Sequence, residues 1–181
     1  MKKFAALALG IFLLLVAVAG ISAQGPSGPP KPGPEHEKIA YFAGKWTSDG
    51  EIKPGPFGPG GKFTFTETCE WFAGKFALIC NSEGMMAGMP IKGMSVMSYD
   101  MAENSYVYFE TNNLGENTYS HGSVAGDTWT WTNESKMNGK TMQSRFTLKQ
   151  LSADTCSYKF EMASGSEPFM VIMEGKQTRQ K

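Results

Sequence analysis

Met142-Gln143-Ser144-Arg145-Phe146-Thr147-Leu148-Lys149 alternates strictly. Met142, Ser144, Phe146 and Leu148 share one face of an extended chain, and Gln143, Arg145, Thr147 and Lys149 share the other. Residues 156–163 repeat the pattern, with Tyr158, Phe160 and Met162 opposing Ser157, Lys159 and Glu161. Side chains divided in this way make an antiparallel sheet with one wet face. Working outward, the same period predicts strands near 46–53, 62–72, 76–83, 91–100, 106–112, 118–124, 128–133, 142–151, 156–163 and 169–178, about ten in all. Between them stand Ala73-Gly74, Ala102-Glu103-Asn104, Gly126-Asp127, Asn138-Gly139 and Gly165-Ser166, each suited to a tight reversal. Short links predict an up-and-down meander, and closing it into a barrel removes the edges an open sheet would expose. The expected fold class is all-β, an antiparallel up-and-down barrel of about ten strands with one short N-terminal helix. That helix spans residues 35–42, with Ile39, Ala40 and Phe42 as its apolar side.

The segments before the barrel set the compartment. Lys2 and Lys3 precede an apolar run from Phe4 to Ala19, and small residues follow, as in a secretory signal peptide cleaved after Ala19 or Ala23. The run is too short and too quickly broken for a membrane span, a retained anchor being the weaker reading. No Cys follows it, so a lipid anchor is not expected. The predicted organisation is residues 1–23 signal peptide, 24–34 a Pro/Gly-rich linker that cannot bury apolar surface, and 35–181 one barrel domain. The expected location is exported, periplasmic or extracellular, with no stable membrane span once the signal is removed.

Charge narrows the partners. The chain carries 17 Lys+Arg and 17 Asp+Glu, and loss of Lys2 and Lys3 leaves it close to neutral. No basic stripe interleaved with aromatics is present, so nucleic-acid binding lacks its electrostatic footprint.

Tyr41-Phe42-Ala43-Gly44-Lys45-Trp46 resembles the Gly-x-Trp opening of the lipocalins and fatty-acid-binding proteins, in which a short helix leads into the first strand and the Trp closes one barrel end. A longer pattern adds Pro56-Phe57-Gly58-Pro59-Gly60-Gly61, then Cys69-Glu70-Trp71-Phe72-Ala73-Gly74-Lys75-Phe76, Cys80, Gly126-Asp127-Thr128-Trp129 and Met173-Glu174-Gly175-Lys176. Together these resemble the family of exported bacterial proteins known as domain of unknown function 1579, over Gly44 to Lys176. The resemblance implies a lipocalin-like, calycin-like barrel, and carries hardly any function. In lipocalins a basic residue late in the chain packs over the closing Trp. Arg179 lies near that place, just past the last expected strand.

Three Cys in an exported protein imply one disulfide and one free thiol. If the loop after Trp71 spans Ala73 to Phe76, Cys69 and Cys80 are directly opposed; if it is only Ala73-Gly74, Cys80 stands opposite Glu67, beyond disulfide reach. Cys69–Cys80 is the expected pair, leaving Cys156 a buried small hydrophobe. Catalytic constellations are missing. There are two His, and His36 lies beside the linker, so a triad or metal site would rest on His121 alone. His121 reads as an ordinary strand or loop-edge histidine, with haem ligation a distant alternative. No catalytic residue, metal site or cofactor is expected, and the protein is read as no enzyme.

Three further features bear on binding. Glu67 interrupts the Phe65, Cys69, Trp71 face; it either lines a polar cavity or marks a rim or bulge, the latter favoured because Thr64, Thr66 and Thr68 opposite are no more apolar. Met85, Met86, Met89, Met94, Met97 and Met101 could offer thioethers to Cu(I), although Met94 and Met97 fall on opposite faces. The stiff segment 53–62, with Phe57 at its centre, could serve as a lid or as an anchor for a protein partner. The leading expectation is a barrel that binds a small apolar or amphipathic molecule, lined by Trp46, Phe65, Leu78, Met97, Tyr108, Trp129, Phe146, Phe160 and Met173. A solid interior with loop-mediated interaction, or Cu(I) binding, is the alternative.

Overall fold

The computed structural model describes residues 29–56, 58–137 and 139–181. The expected signal peptide, the first part of the linker and Phe57 fall outside them. The compact unit runs from Lys31 to Lys181.

All ten expected strands are present: β1 (Gly44–Ile52), β2 (Gly61–Trp71), β3 (Ala77–Met86), β4 (Met89–Asp100), β5 (Ser105–Asn112), β6 (Asn117–Ala125), β7 (Thr128–Met137), β8 (Lys140–Gln150), β9 (Thr155–Ser164) and β10 (Met170–Arg179). Each pairs antiparallel with its sequence neighbour, and β1 pairs with β10 to close the barrel. The alternation that predicts the strands also sets their orientation. In β8, Met142 and Leu148 are buried while Gln143 and Lys149 are exposed.

The largest departure from expectation lies in the third hairpin. Strands β3 and β4 run on to Met86 and Met89 and turn through Ala87-Gly88, both at positive φ. Gly84 and the Ala-Gly pair read as a connection in the sequence, yet Gly84 is an in-register strand residue opposite Phe65. The helix is likewise shorter than expected. Pro34, assigned to the linker, opens α1 (Pro34–Lys38), where its fixed φ suits the first helical turn, and a 3-10 turn follows over Ile39–Phe42. Ile39 and Phe42 are buried, whereas Ala40 is exposed.

This helical plug seats on the barrel end where β1 begins and β10 ends. Phe42 packs edge-on against Trp129 and Trp131 at 5.0 and 5.8 Å, and its carbonyl accepts the Trp46 indole N–H at 3.0 Å. Arg179, which is the last residue of β10, lies 4.2 Å over Trp46 and donates to the carbonyls of Tyr41 (2.8 Å) and Ala43. The basic-residue lock implied by the lipocalin resemblance is therefore made by Arg179. His36 also belongs to the plug: it is buried between Phe76 and Tyr99, not beside a loose linker.

Candidate functional site

The barrel interior holds sealed positions and partly accessible ones. Ile39, Phe42, Phe63, Cys69, Leu78, Cys80, Met97, Tyr106, Trp129, Trp131, Leu148, Cys156 and Tyr158 form one buried cluster that starts at the plug and reaches Phe63, two residues mouthward of Phe65. At mid-barrel, other residues on the same inward faces keep accessible surface. Phe65, Glu67, Tyr108, Glu110, Phe146, Phe160, Met173 and Gln177 are only partly buried. Glu67 and Tyr108 nevertheless lie deep among protein atoms, so their open surface faces space inside the barrel.

Glycines stand opposite four of the large inward rings. Gly50 pairs with Phe63, Gly84 with Phe65, Gly122 with Trp131 and Gly175 with Tyr158, all on inward faces. A Cβ at any of the four would meet the partner ring or the Tyr158 hydroxyl at 2.5–2.8 Å, so each ring lies against the glycine of the neighbouring strand.

The nine expected lining residues all belong to inward faces, but they do not share one environment. Trp46, Leu78, Met97 and Trp129 are sealed, with at most 5% of their surface exposed. Phe65, Tyr108, Phe146, Phe160 and Met173 are half-buried, the first three and Met173 packed against the buried cluster. Phe146 stacks on Tyr158 at 5.3 Å and leans on Trp131 at 6.1 Å, giving the lumen an aromatic wall. At the mouth, away from the plug, strand ends carry Met86, Met89, Met142, Met162 and Met173.

The lumen floor is polar and acidic. Glu67 is neither at a rim nor in a bulge: β2 keeps unbroken register with β1 and β3 through it, and its side chain faces inward. Its carboxylate accepts one hydrogen bond from Gln177 Nε2 at 3.3 Å. Burial pushes its pKa up to about 7, the Glu110 charge adds to the rise, and the Gln177 bond opposes it. Glu110 enters from β5 and accepts a bond from the Tyr108 hydroxyl at 3.2 Å; burial raises its pKa too. Ser95, cross-strand partner of Glu110, is buried near the Tyr108 hydroxyl, yet its Oγ makes no hydrogen bond of good geometry. The indole N–H groups of Trp129 and Trp131 are also buried without a partner. Of these groups, the sequence reading singled out Glu67, Tyr108 and Trp129. Glu110, Ser95 and Gln177 escaped because each alternates inward on a strand whose closed-barrel partner is far away in sequence.

The cysteines fall as expected. Cys69 and Cys80 are register partners across β2 and β3 and are joined in a disulfide, because residues 72–76 form the loop. Glu67 lies close to both sulfurs, but two bonded sulfurs offer no thiolate to a metal. Cys156 is free and buried, its S–H directed at Gln177 Oε1 (3.6 Å), and burial pushes its pKa up to about 11. His121 faces outward, exposed and 3.4 Å from Glu103, so it cannot reach a haem or any other group in the lumen. The six methionines proposed for Cu(I) are dispersed. Met85 and Met94 face outward, Met97 is sealed at the plugged end, and Met101 sits in the β4–β5 turn at that same end. Only Met86 and Met89 meet, as register partners at the mouth.

These features define a ten-stranded antiparallel barrel, plugged at one end and carrying a lumen with an acidic floor and an aromatic wall. The chain belongs to the DUF1579 family, described as "Protein of unknown function", which matches residues 31–179. Among solved structures it is similar to Rv2717c from M. tuberculosis, with a TM-score of 0.57 and 14% identity over 82% of this chain and 99% of that one. It is also similar to the S-type phycobiliprotein lyase CPES from Guillardia theta, with a TM-score of 0.55 and 12% identity over 81% of this chain and 93% of that one. At such identities the likeness is one of fold. No curated protein matches significantly in sequence. No helix among the described residues is long and apolar enough to cross a membrane.

Proposed function

We propose that this protein is an exported, non-enzymatic barrel that binds a small amphipathic molecule in its lumen. The observation that carries this reading is the accessible surface kept by inward-facing Phe65, Glu67, Tyr108, Glu110 and Phe146 at mid-barrel. A barrel filled for structure alone would have closed that space with larger side chains. Apolar and aromatic walls with a few polar groups at one end are the usual make-up of a small-molecule site. The similarity to a phycobiliprotein lyase, a protein named for its action on another protein, supports only the barrel's capacity to carry function. Export is supported by the Cys69–Cys80 disulfide, a bond that persists in oxidising compartments. Native mass spectrometry of protein purified from the exported fraction, together with titration of an environment-sensitive hydrophobic dye, tests the reading. A co-purifying small molecule or saturable one-to-one dye binding is expected. Neither appearing would reject the lumen as a binding site.

A further inference from the structure

Two buried carboxylates in this barrel are treated differently from a third. Glu161, buried on the outer face of β9, is met by Arg145 Nε at 2.9 Å and Lys159 Nζ at 3.1 Å, which hold its pKa below the ordinary carboxylate value. The chain thus supplies cations to a carboxylate that only the protein can neutralise. Glu67 and Glu110 face the lumen and take part in no ion pair among the described residues. Each accepts one hydrogen bond from a neutral donor, Gln177 or Tyr108, although a carboxylate has about four acceptor sites. A third acceptor, Ser95 Oγ, is buried beside Glu110 without a hydrogen bond of good geometry, being cross-strand to Glu110 on one side and to Cys80 on the other.

Resting on the reading of the lumen as a binding site, we infer that its floor receives the protonated amine of an amphipathic molecule, whose apolar body lies against the aromatic wall and whose far end reaches the methionine mouth. An ammonium group carries three donors and a positive charge, matching two unpaired carboxylates and one orphan hydroxyl. A carboxylate or phosphate head would be repelled by the same pair. A neutral alcohol would satisfy Ser95 and leave the charges uncompensated.

The experiment compares decylamine, decanol and decanoate as ligands of the full exported protein, followed by quenching of tryptophan fluorescence at about pH 8, where a carboxyl of pKa near 7 is ionised. The expected order is amine, alcohol, carboxylate, with amine over alcohol by about tenfold or more, the scale of one charge-assisted contact in a dry site. This order is read in the unaltered protein and needs no variant. In the Glu67→Gln/Glu110→Gln double variant, the ratio of amine to decanol affinity falls to about one. Probes binding within about threefold of one another, or a preference that survives the double substitution, would overturn the cationic-head inference while leaving the lumen intact. Failure of all three probes to bind would instead remove the proposed function.

Discussion

Glu67 couples the floor to pH, and the sign follows from its environment. Its folded pKa, about 7, stands above the ordinary 4.5 because burial and the Glu110 charge disfavour the ionised form. A group raised in this way contributes stability that is fully present below about 4.5 and is lost as pH rises through about 7. The neighbouring Tyr108, Tyr158 and Cys156 are all shifted upward by burial and stay neutral over that window. Glu110 moves in the same direction as Glu67, so replacing Glu67 alone removes one of two contributions. Glu67→Gln should match the unaltered protein near pH 4 and exceed it near pH 8, by at most about 3 kcal/mol, or several degrees in Tm. Parallel Tm–pH curves for the two proteins would show that Glu67 titrates as an ordinary surface carboxylate. A bound ammonium reverses the balance at high pH, so ligand-free and ligand-loaded protein should diverge most above neutrality.

At the scale of the element, the β2–β3 hairpin shows what was legible in the sequence. Its strands could be read because Phe63, Phe65, Cys69 and Trp71 alternate with Thr64, Thr66, Thr68 and Glu70, and one face of the sheet is buried. The cysteine pairing could be read once the loop was taken as four or five residues. The depth of Glu67 could not. A local rule counts a lone inward carboxylate as a defect, and here its one hydrogen bond comes from Gln177, 110 residues away, while Glu110 on β5 adds a like charge. The far end of β3 was missed for a similar reason, since Gly84 looks like a turn residue until Phe65 is seen lying across it. The disulfide closes this hairpin around a sequence separation of 11 residues. Loop-closure entropy for so short a span gives about 2–3 kcal/mol, model-dependent in mechanism. Cys69→Ser/Cys80→Ser should lower stability by that amount in denaturant titration. A smaller loss would mean that the short, locally closed hairpin is already ordered in the unfolded chain.

For the whole molecule, the decisive event is closure, because β1 and β10 lie at opposite ends of the domain and pair from Trp46–Arg179 to Ile52–Met173. Such a contact brings a large loop-closure cost, and the chain reinforces it at the plugged end. The guanidinium of Arg179 donates to the carbonyls of Tyr41 and Ala43, to Ala153 O at 3.2 Å and to Asp154 Oδ1 at 3.1 Å, while its plane covers Trp46. It therefore ties the helical plug, the β8–β9 loop and both closing strands through one planar fork. Lysine keeps the charge but has one nitrogen with its three donors clustered at a point, so it cannot span the plug, the loop and the seam at once or stack flat on the indole. Arg179→Lys should cost about 2 kcal/mol, in keeping with the loss of more than one charged hydrogen bond at a partly exposed site. Hydrogen exchange should rise along Gly44–Ser48 and at the β10 end, because opening there unzips the closing pair first. The mouth-side amides of β3 and β4, joined by their own two-residue turn, should be unaffected. Unchanged protection at the β1–β10 seam would show that strand pairing alone closes the barrel, and uniform loss across all ten strands would show that the plug stabilises the fold globally and not the seam.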